Sequence, residues 1–87
     1  PYLADNEQNL SPTEKLVRAL FQQVLKIEVP IGMRDDFFEL GGNSLKAGQM
    51  FGLIGKQLKI SIPPMAIYEH RTIERLAKLL SEKANKE

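Results

Sequence analysis

Among the side chains able to do chemistry, the Ser44 hydroxyl has the most distinctive setting. It lies within Asp36-Phe37-Phe38-Glu39-Leu40-Gly41-Gly42-Asn43-Ser44-Leu45-Lys46. Two adjacent glycines let the backbone turn sharply without a Cβ penalty. Ser44 follows them where an N-cap is expected, just before apolar residues begin to recur at helical spacing. Such a serine either turns its hydroxyl onto the free amides of the first turn or, beside a loop without bulky side chains, leaves it open to modification. The other candidates are weaker. His70, the sole histidine, follows Glu69 in a turn and reads as a loop side chain rather than half of a catalytic pair. Asp35, Asp36 and Glu39 form an acidic cluster near Ser44, but a metal site needs more ligands at convergent geometry, and the cluster reads as solvated loop. Gly-Gly-Asn-Ser-Leu lacks the Gly-x-Ser-x-Gly elbow of a serine hydrolase, and no Gly-Lys-Ser/Thr follows the glycines as a phosphate loop requires. The chain therefore offers one modifiable hydroxyl and little catalytic apparatus.

Helices must position that hydroxyl. Ser11-Pro12-Thr13-Glu14 is a capping box with proline at the first helical position. Leu16, Val17, Leu20, Phe21, Val24 and Leu25 then fall on one stripe, which predicts a first helix from about Pro12 to Lys26. A second helix is predicted from Ser44 to about Leu58. On a 100° wheel, Ala47, Met50, Phe51, Ile54 and Leu58 make its buried face, and Leu45, Gln49, Gly52 and Lys56 lie opposite. Gly48, Gly52 and Gly55 share one edge, where they allow close approach of a neighbouring helix or a partner, or loosen the helix. Lys59 to Pro64 breaks the helix, and Met65 to Tyr68 has room for one short helical turn. Thr72 caps a final helix carrying Ile73, Leu76, Ala77 and Leu80.

The connection from Ile27 to Asn43 is long for so small a domain. Its apolar residues, Ile27, Val29, Ile31, Met33, Phe37, Phe38 and Leu40, predict that it is pinned across the helices, with a turn of helix at Asp35 to Glu39. Adjacent phenylalanines cannot both point inward, so one is expected in the core and the other half-exposed beside Ser44. The fold class is all-α: a four-helix bundle with a short third helix and a long loop between helices one and two. Residues 1–10 read as linker, 11–81 as the folded domain and 82–87 as a tail.

Composition narrows the function classes. Eighty-seven residues, 43% hydrophobic and 26% charged, fit a single globular domain. The absence of cysteine removes disulfides, thiolate metal sites and any thiol supplied by the protein itself. A net charge of +1 is too near balance for bulk nucleic-acid binding, and no apolar run approaches a membrane span. Beginning on Pro1 rather than methionine, the chain reads as a piece of something longer. Charge is uneven: residues 28–39 carry a net −3, while Lys46, Lys56 and Lys59 give the second helix +3 with no acid.

The string Asp-Asp-Phe-Phe-Glu-Leu-Gly-Gly-Asn-Ser-Leu resembles the phosphopantetheine attachment motif of peptidyl carrier proteins, the thiolation domains of nonribosomal peptide synthetases. The resemblance extends over the whole chain in the order of its elements and is most specific over residues 35–45. It implies that Ser44 carries 4′-phosphopantetheine through a phosphodiester, with Gly41, Gly42 and Asn43 as the rest of the motif. A phosphopantetheinyl transferase would use coenzyme A and Mg²⁺ to attach the arm, whose thiol then holds an aminoacyl or peptidyl group. Adenylation domains would load it, and condensation, epimerisation or thioesterase domains would act on it. Partner recognition is expected at Leu45, Gln49, Gly52, Lys56, Met65 and Ile67. The domain is expected to be a monomer when excised, cytoplasmic, and not itself an enzyme. Fatty-acid carriers typically have an acidic second helix and Asp before the serine; the lysines here and Asn43 point to the peptidyl branch, where His or Asp is more usual at that position. An unmodified helical interaction module is the alternative, and a small hydrolase a remote third.

Overall fold

The computed structural model describes residues 10–84. Its first helix, α1, runs Pro12–Leu25 behind a complete capping box: the Glu14 amide donates to Ser11 Oγ at 3.1 Å, and the Ser11 amide to Glu14 Oε1 at 2.9 Å. Lys26 leaves the helix in the left-handed conformation, φ 59°, so α1 stops one residue short of the expected end. The second helix, α2, spans Ser44–Leu58 and also ends on a left-handed lysine, Lys59. The third, α3, spans Ile73–Ala84. Its first turn is capped by Thr72, whose Oγ1 accepts the Arg75 amide at 3.2 Å.

The short third element is a 3₁₀ helix, Pro64–Tyr68. The four-element layout therefore consists of three α-helices and one 3₁₀ helix. Helix α1 packs against both α2 and α3, and the 3₁₀ helix packs against α2. The core draws Val17, Leu20, Phe21, Val24 and Leu25 from α1, Ala47, Met50, Phe51 and Ile54 from α2, Ile67 from the 3₁₀ helix, and Ile73, Leu76, Ala77 and Leu80 from α3. Leu58, placed on the buried face by the wheel, is half-buried. Among the described residues, no helix is long and apolar enough to cross a membrane.

The ends differ from the sequence expectation. Leu10, assigned to the linker, is buried in the core, and α3 continues to Ala84 rather than ending near Ser81. The remainder of the expected linker and tail lies outside the described residues.

The long connection is anchored as its composition demands, by buried Ile31, Met33 and Phe37, though Val29 points to solvent. No helix forms at Asp35 to Glu39. The residues from Phe37 to Gly41 form hydrogen-bonded turns instead. The Leu40 amide donates to the Asp36 carbonyl at 3.0 Å, and the chain then reverses at Gly41, where the Gly41 and Gly42 amides return to the Phe38 and Phe37 carbonyls at 3.1 and 2.9 Å. The Phe37 amide is drawn to the Arg71 carbonyl at 2.7 Å. The Asp36 carboxylate meanwhile accepts the Phe38 and Glu39 amides at 2.8 and 3.2 Å, as an N-cap does for a first turn.

Candidate functional site

The two glycines of the motif do different work. Gly41 has φ +106°, a conformation that a residue with a Cβ rarely adopts. Gly42 does not have a positive φ but has no spare room: a Cβ there would overlap the Phe37 ring and come within 2.7 Å of the Phe37 carbonyl oxygen. Its amide donates to that same carbonyl at 2.9 Å. Phe37 is thus the floor on which the loop closes. From Phe37 the aromatic contacts run inward to Phe21, edge-on with ring centres 5.2 Å apart, and outward to Phe38 at 5.5 Å. Phe38 stacks on Tyr68 at 5.2 Å. The expected split of the two phenylalanines therefore holds, with Phe37 fully buried and Phe38 half-buried.

Ser44 is not the N-cap. Asn43 takes that role, in extended backbone, with its Oδ1 accepting the Lys46 amide at 2.8 Å. Asparagine caps as well as serine, and here it stands one position nearer the loop. Ser44 becomes the first residue of α2 and is exposed. Among the described residues its hydroxyl makes no hydrogen bond, which leaves it open to chemistry.

The helix end also suits what the sequence would attach there. A phosphodiester on Ser44 Oγ would place its negative charge at the N-terminus of a fifteen-residue helix, where the dipole favours anions. That first turn contains no acidic residue. Two of the three nearby acids are already engaged: Asp35 Oδ2 accepts the Gly32 amide at 2.9 Å, and Asp36 binds two amides and Arg71, while Glu39 is exposed. Burial pushes the Asp36 carboxyl upward, but the Phe38 and Glu39 amides and the Arg71 guanidinium outweigh it and hold the group below its ordinary value. His70 is half-buried, with its backbone amide bonded to the Ala66 carbonyl.

Leu45 is 70% exposed, on the wet face where the wheel put it, and Gln49, Gly52 and Lys56 are exposed as well. Among the described residues Gly48 and Gly52 serve no close packing, since a Cβ at either would meet nothing within 4 Å. They border a shallow groove of about 440 Å³ between α2 and the segment that follows it, with Phe51, Gly55, Ile60 and Ile62. Ser44 is not part of that groove. Met65 and Ile67 part company: Met65 is 74% exposed, whereas Ile67 is fully buried and drops out as a recognition residue. At three residues per turn, positions two apart in a 3₁₀ helix face different ways and positions three apart align. The same period brings up a residue that the sequence reading missed, Tyr68, which is 54% exposed and lies one turn after Met65.

Comparison with known proteins agrees with this geometry. The family described as phosphopantetheine attachment site matches residues 15–80. The chain belongs to that family. Within it, this is a peptidyl carrier (thiolation) domain, a carrier rather than a catalyst. It is 41% identical over 71 residues to tyrocidine synthase 3 of Brevibacillus parabrevis, an alignment covering 82% of this chain and 1% of that protein. To surfactin synthase subunit 1 of Bacillus subtilis (strain 168) it is 42% identical over 74 residues, covering 85% of this chain and 2% of the other. The carrier domain therefore spans only a few hundredths of the length of these relatives. It also superposes on a peptidyl carrier protein solved in complex with the phosphopantetheine transferase Sfp and coenzyme A. That match has a TM-score of 0.78 and 25% identity, covering 84% of this chain and 94% of that one.

Proposed function

We propose that Ser44 is the attachment point of 4′-phosphopantetheine and that this carrier domain presents aminoacyl or peptidyl thioesters to the catalytic domains of a peptide synthetase. The observation that carries the assignment is the division of labour at the start of α2. Asn43 holds the cap, so the exposed Ser44 hydroxyl is spared for modification. The bound arm supplies a terminal thiol, which this cysteine-free chain lacks. The protein's own residues do the rest. Gly41 supplies the positive-φ turn, and Gly42 lets the loop close on Phe37. Ser44 Oγ gives up its proton as it attacks the pantetheine-bearing phosphorus of coenzyme A, breaking the pyrophosphate bond and releasing adenosine 3′,5′-bisphosphate. The partners of this reading are a phosphopantetheinyl transferase acting with coenzyme A, an adenylation domain that loads the thiol, and condensation, epimerisation or thioesterase domains that take the load onward. Leu45, Met65 and Tyr68 are the exposed apolar residues they would meet, with Gln49, Gly52 and Lys56 beside Leu45 on α2. A cytoplasmic site of action goes with this reading.

Incubation with coenzyme A and a promiscuous phosphopantetheinyl transferase, followed by intact mass measurement, tests the assignment. One phosphopantetheine is expected on the wild-type chain and none on Ser44→Ala. Addition that persists in the alanine variant would move the site to Ser11, Ser61 or Ser81 and overturn it.

A further inference from the structure

Arg71 lies in the short link between the 3₁₀ helix and α3, far from Ser44 in sequence, yet it holds three consecutive residues of the motif loop. Its Nε pairs with Asp36 Oδ2 at 2.8 Å, and its Nη2 donates to Asp36 Oδ1 at 3.3 Å, a two-pronged carboxylate contact. Its backbone carbonyl accepts the Phe37 amide at 2.7 Å. Its guanidinium carbon sits 5.1 Å from the centre of the Phe38 ring, within cation–π range. Each of these residues then acts on the loop. Asp36 binds the Phe38 and Glu39 amides, and the Phe37 carbonyl accepts the amide of Gly42. Gly42 directly precedes the Asn43 cap and Ser44.

We infer that Arg71 is a positioning residue for Ser44: by gripping Asp36, Phe37 and Phe38 it sets the population of loop conformers that present the serine to the modifying enzyme. The inference rests on the reading of Ser44 as the attachment point. The side-chain contacts are partly solvated, with Arg71 44% and Asp36 22% exposed at the side chain, so they add little to global stability. The loop is in any case anchored by buried Ile31, Met33 and Phe37. What the Arg71 side chain adds is orientation of the segment between that anchor and Ser44. A second ion pair joins the same two regions, Arg34 with Glu74 at 3.7 Å, with side chains 78% and 55% exposed. It reaches no residue of the 36–38 segment and provides a control.

The test measures phosphopantetheine transfer from coenzyme A at varied carrier concentration, well below every variant's unfolding midpoint, for wild type, Arg71→Gln, Arg71→Lys and Arg34→Gln. Loss of the guanidinium lowers the competent fraction and not the chemistry. Arg71→Gln should therefore raise KM, by up to about fivefold, at unchanged kcat, about fivefold being the limit set by the upper range for an exposed ion pair. Arg71→Lys keeps the charge without the planar fork and should fall between wild type and Arg71→Gln; Arg34→Gln should match wild type. Amide hydrogen exchange gives a readout independent of transfer. The Gly42 amide should exchange faster in Arg71→Gln, while amides of α1 such as Phe21 keep their protection. Wild-type KM together with wild-type Gly42 protection in Arg71→Gln would overturn the inference. So would protection lost equally in α1, which marks a purely structural role. Should Arg71→Gln fail to fold, Arg71→Lys carries the same comparison. A wild-type chain that accepts no phosphopantetheine would defeat the reading of Ser44 instead, leaving the exchange measurement to judge Arg71.

Discussion

Asn43 and Ser44 divide between them two roles that one residue could have held: the asparagine side chain accepts the Lys46 amide at 2.8 Å, and the serine beside it stands exposed as the first residue of α2. The consequence is energetic as well as chemical. An N-cap serine has its hydroxyl engaged with an amide of the first turn, whereas this one does not.

Stability and modification should therefore separate at these neighbours. Asn43→Ala should lose about 1 kcal/mol by removing the cap and still accept phosphopantetheine. Ser44→Ala should leave the urea midpoint almost unchanged and abolish the addition. Urea denaturation and intact mass on the same preparations check both, and a Ser44→Ala variant as destabilised as Asn43→Ala would return the cap to the serine.

The motif glycines make distinct steric predictions. Gly42→Ala forces a methyl into the Phe37 ring and carbonyl and should cost about 1–3 kcal/mol by overpacking. Gly41→Ala meets no neighbour within 4 Å but must hold φ near +106°, with a strain of about 1–3 kcal/mol. Trimming Phe37 to leucine in the Gly42→Ala background should recover part of the first cost and none of the second. Chemical denaturation of the variants measures both.

Much of this architecture is legible in the sequence because it follows from periodicity and capping. The Ser11–Glu14 box, the Thr72 cap and the α1 stripe each rest on residues within one or two helical turns. The misreadings arise where residue type and spacing do not rank the alternatives. The turn at Asp35 to Glu39 does not lengthen into a helix because the Gly41 and Gly42 amides return to the Phe38 and Phe37 carbonyls, and the Arg71 carbonyl that takes the Phe37 amide lies 34 positions away in the chain, a contact that no spacing encodes. Ser44 yields the cap because Asn43 is equally suited to it, and type alone does not rank them. Met65 and Ile67, two apart, face different ways in either kind of helix, and a five-residue element is too short for periodicity to say which of them is buried or to bring out Tyr68.

The core prediction follows from burial in α1 and α2. Leu20 is 2% exposed and Ile54 fully buried, so truncating either to alanine should cost about 2–5 kcal/mol from lost burial and the cavity left behind. In a domain of this size that is a large share of the total stability. Denaturation midpoints that hardly move in both variants would contradict the packing described here.

Acid should weaken the loop through Asp36. Its folded-state pKa lies below the ordinary value of 3.8, so the unfolded chain takes up the proton more readily than the native one. The stabilisation is therefore fully present above about pH 5 and fades as pH falls through the ordinary value and then the lowered one. Asp36→Asn keeps an acceptor for the Phe38 and Glu39 amides but loses the ionic contact with Arg71. The stability gap between wild type and Asp36→Asn should be widest near neutral pH and narrow on acidification below about pH 4. A gap that stays constant across that range would mean that the charge of Asp36 does not matter.

Leu45 offers the sharpest separation of fold from function. Its side chain is 70% exposed, on the face of α2 opposite Met50 and Ile54, so it contributes little to the core. It directly follows Ser44, and any enzyme that reaches the serine or its arm must cross this end of the helix. Covering a leucine there could supply up to about 1.5–3 kcal/mol to the encounter. Leu45→Asp should leave the denaturation midpoint near wild type while strongly slowing phosphopantetheine transfer and thiol loading. Both quantities are measured on one preparation. A variant that unfolds easily would show Leu45 to be part of the core after all. One that folds and is modified at the wild-type rate would shift recognition to the exposed apolar pair on the 3₁₀ helix, Met65 and Tyr68, where Met65→Asp and Tyr68→Asp become the decisive variants.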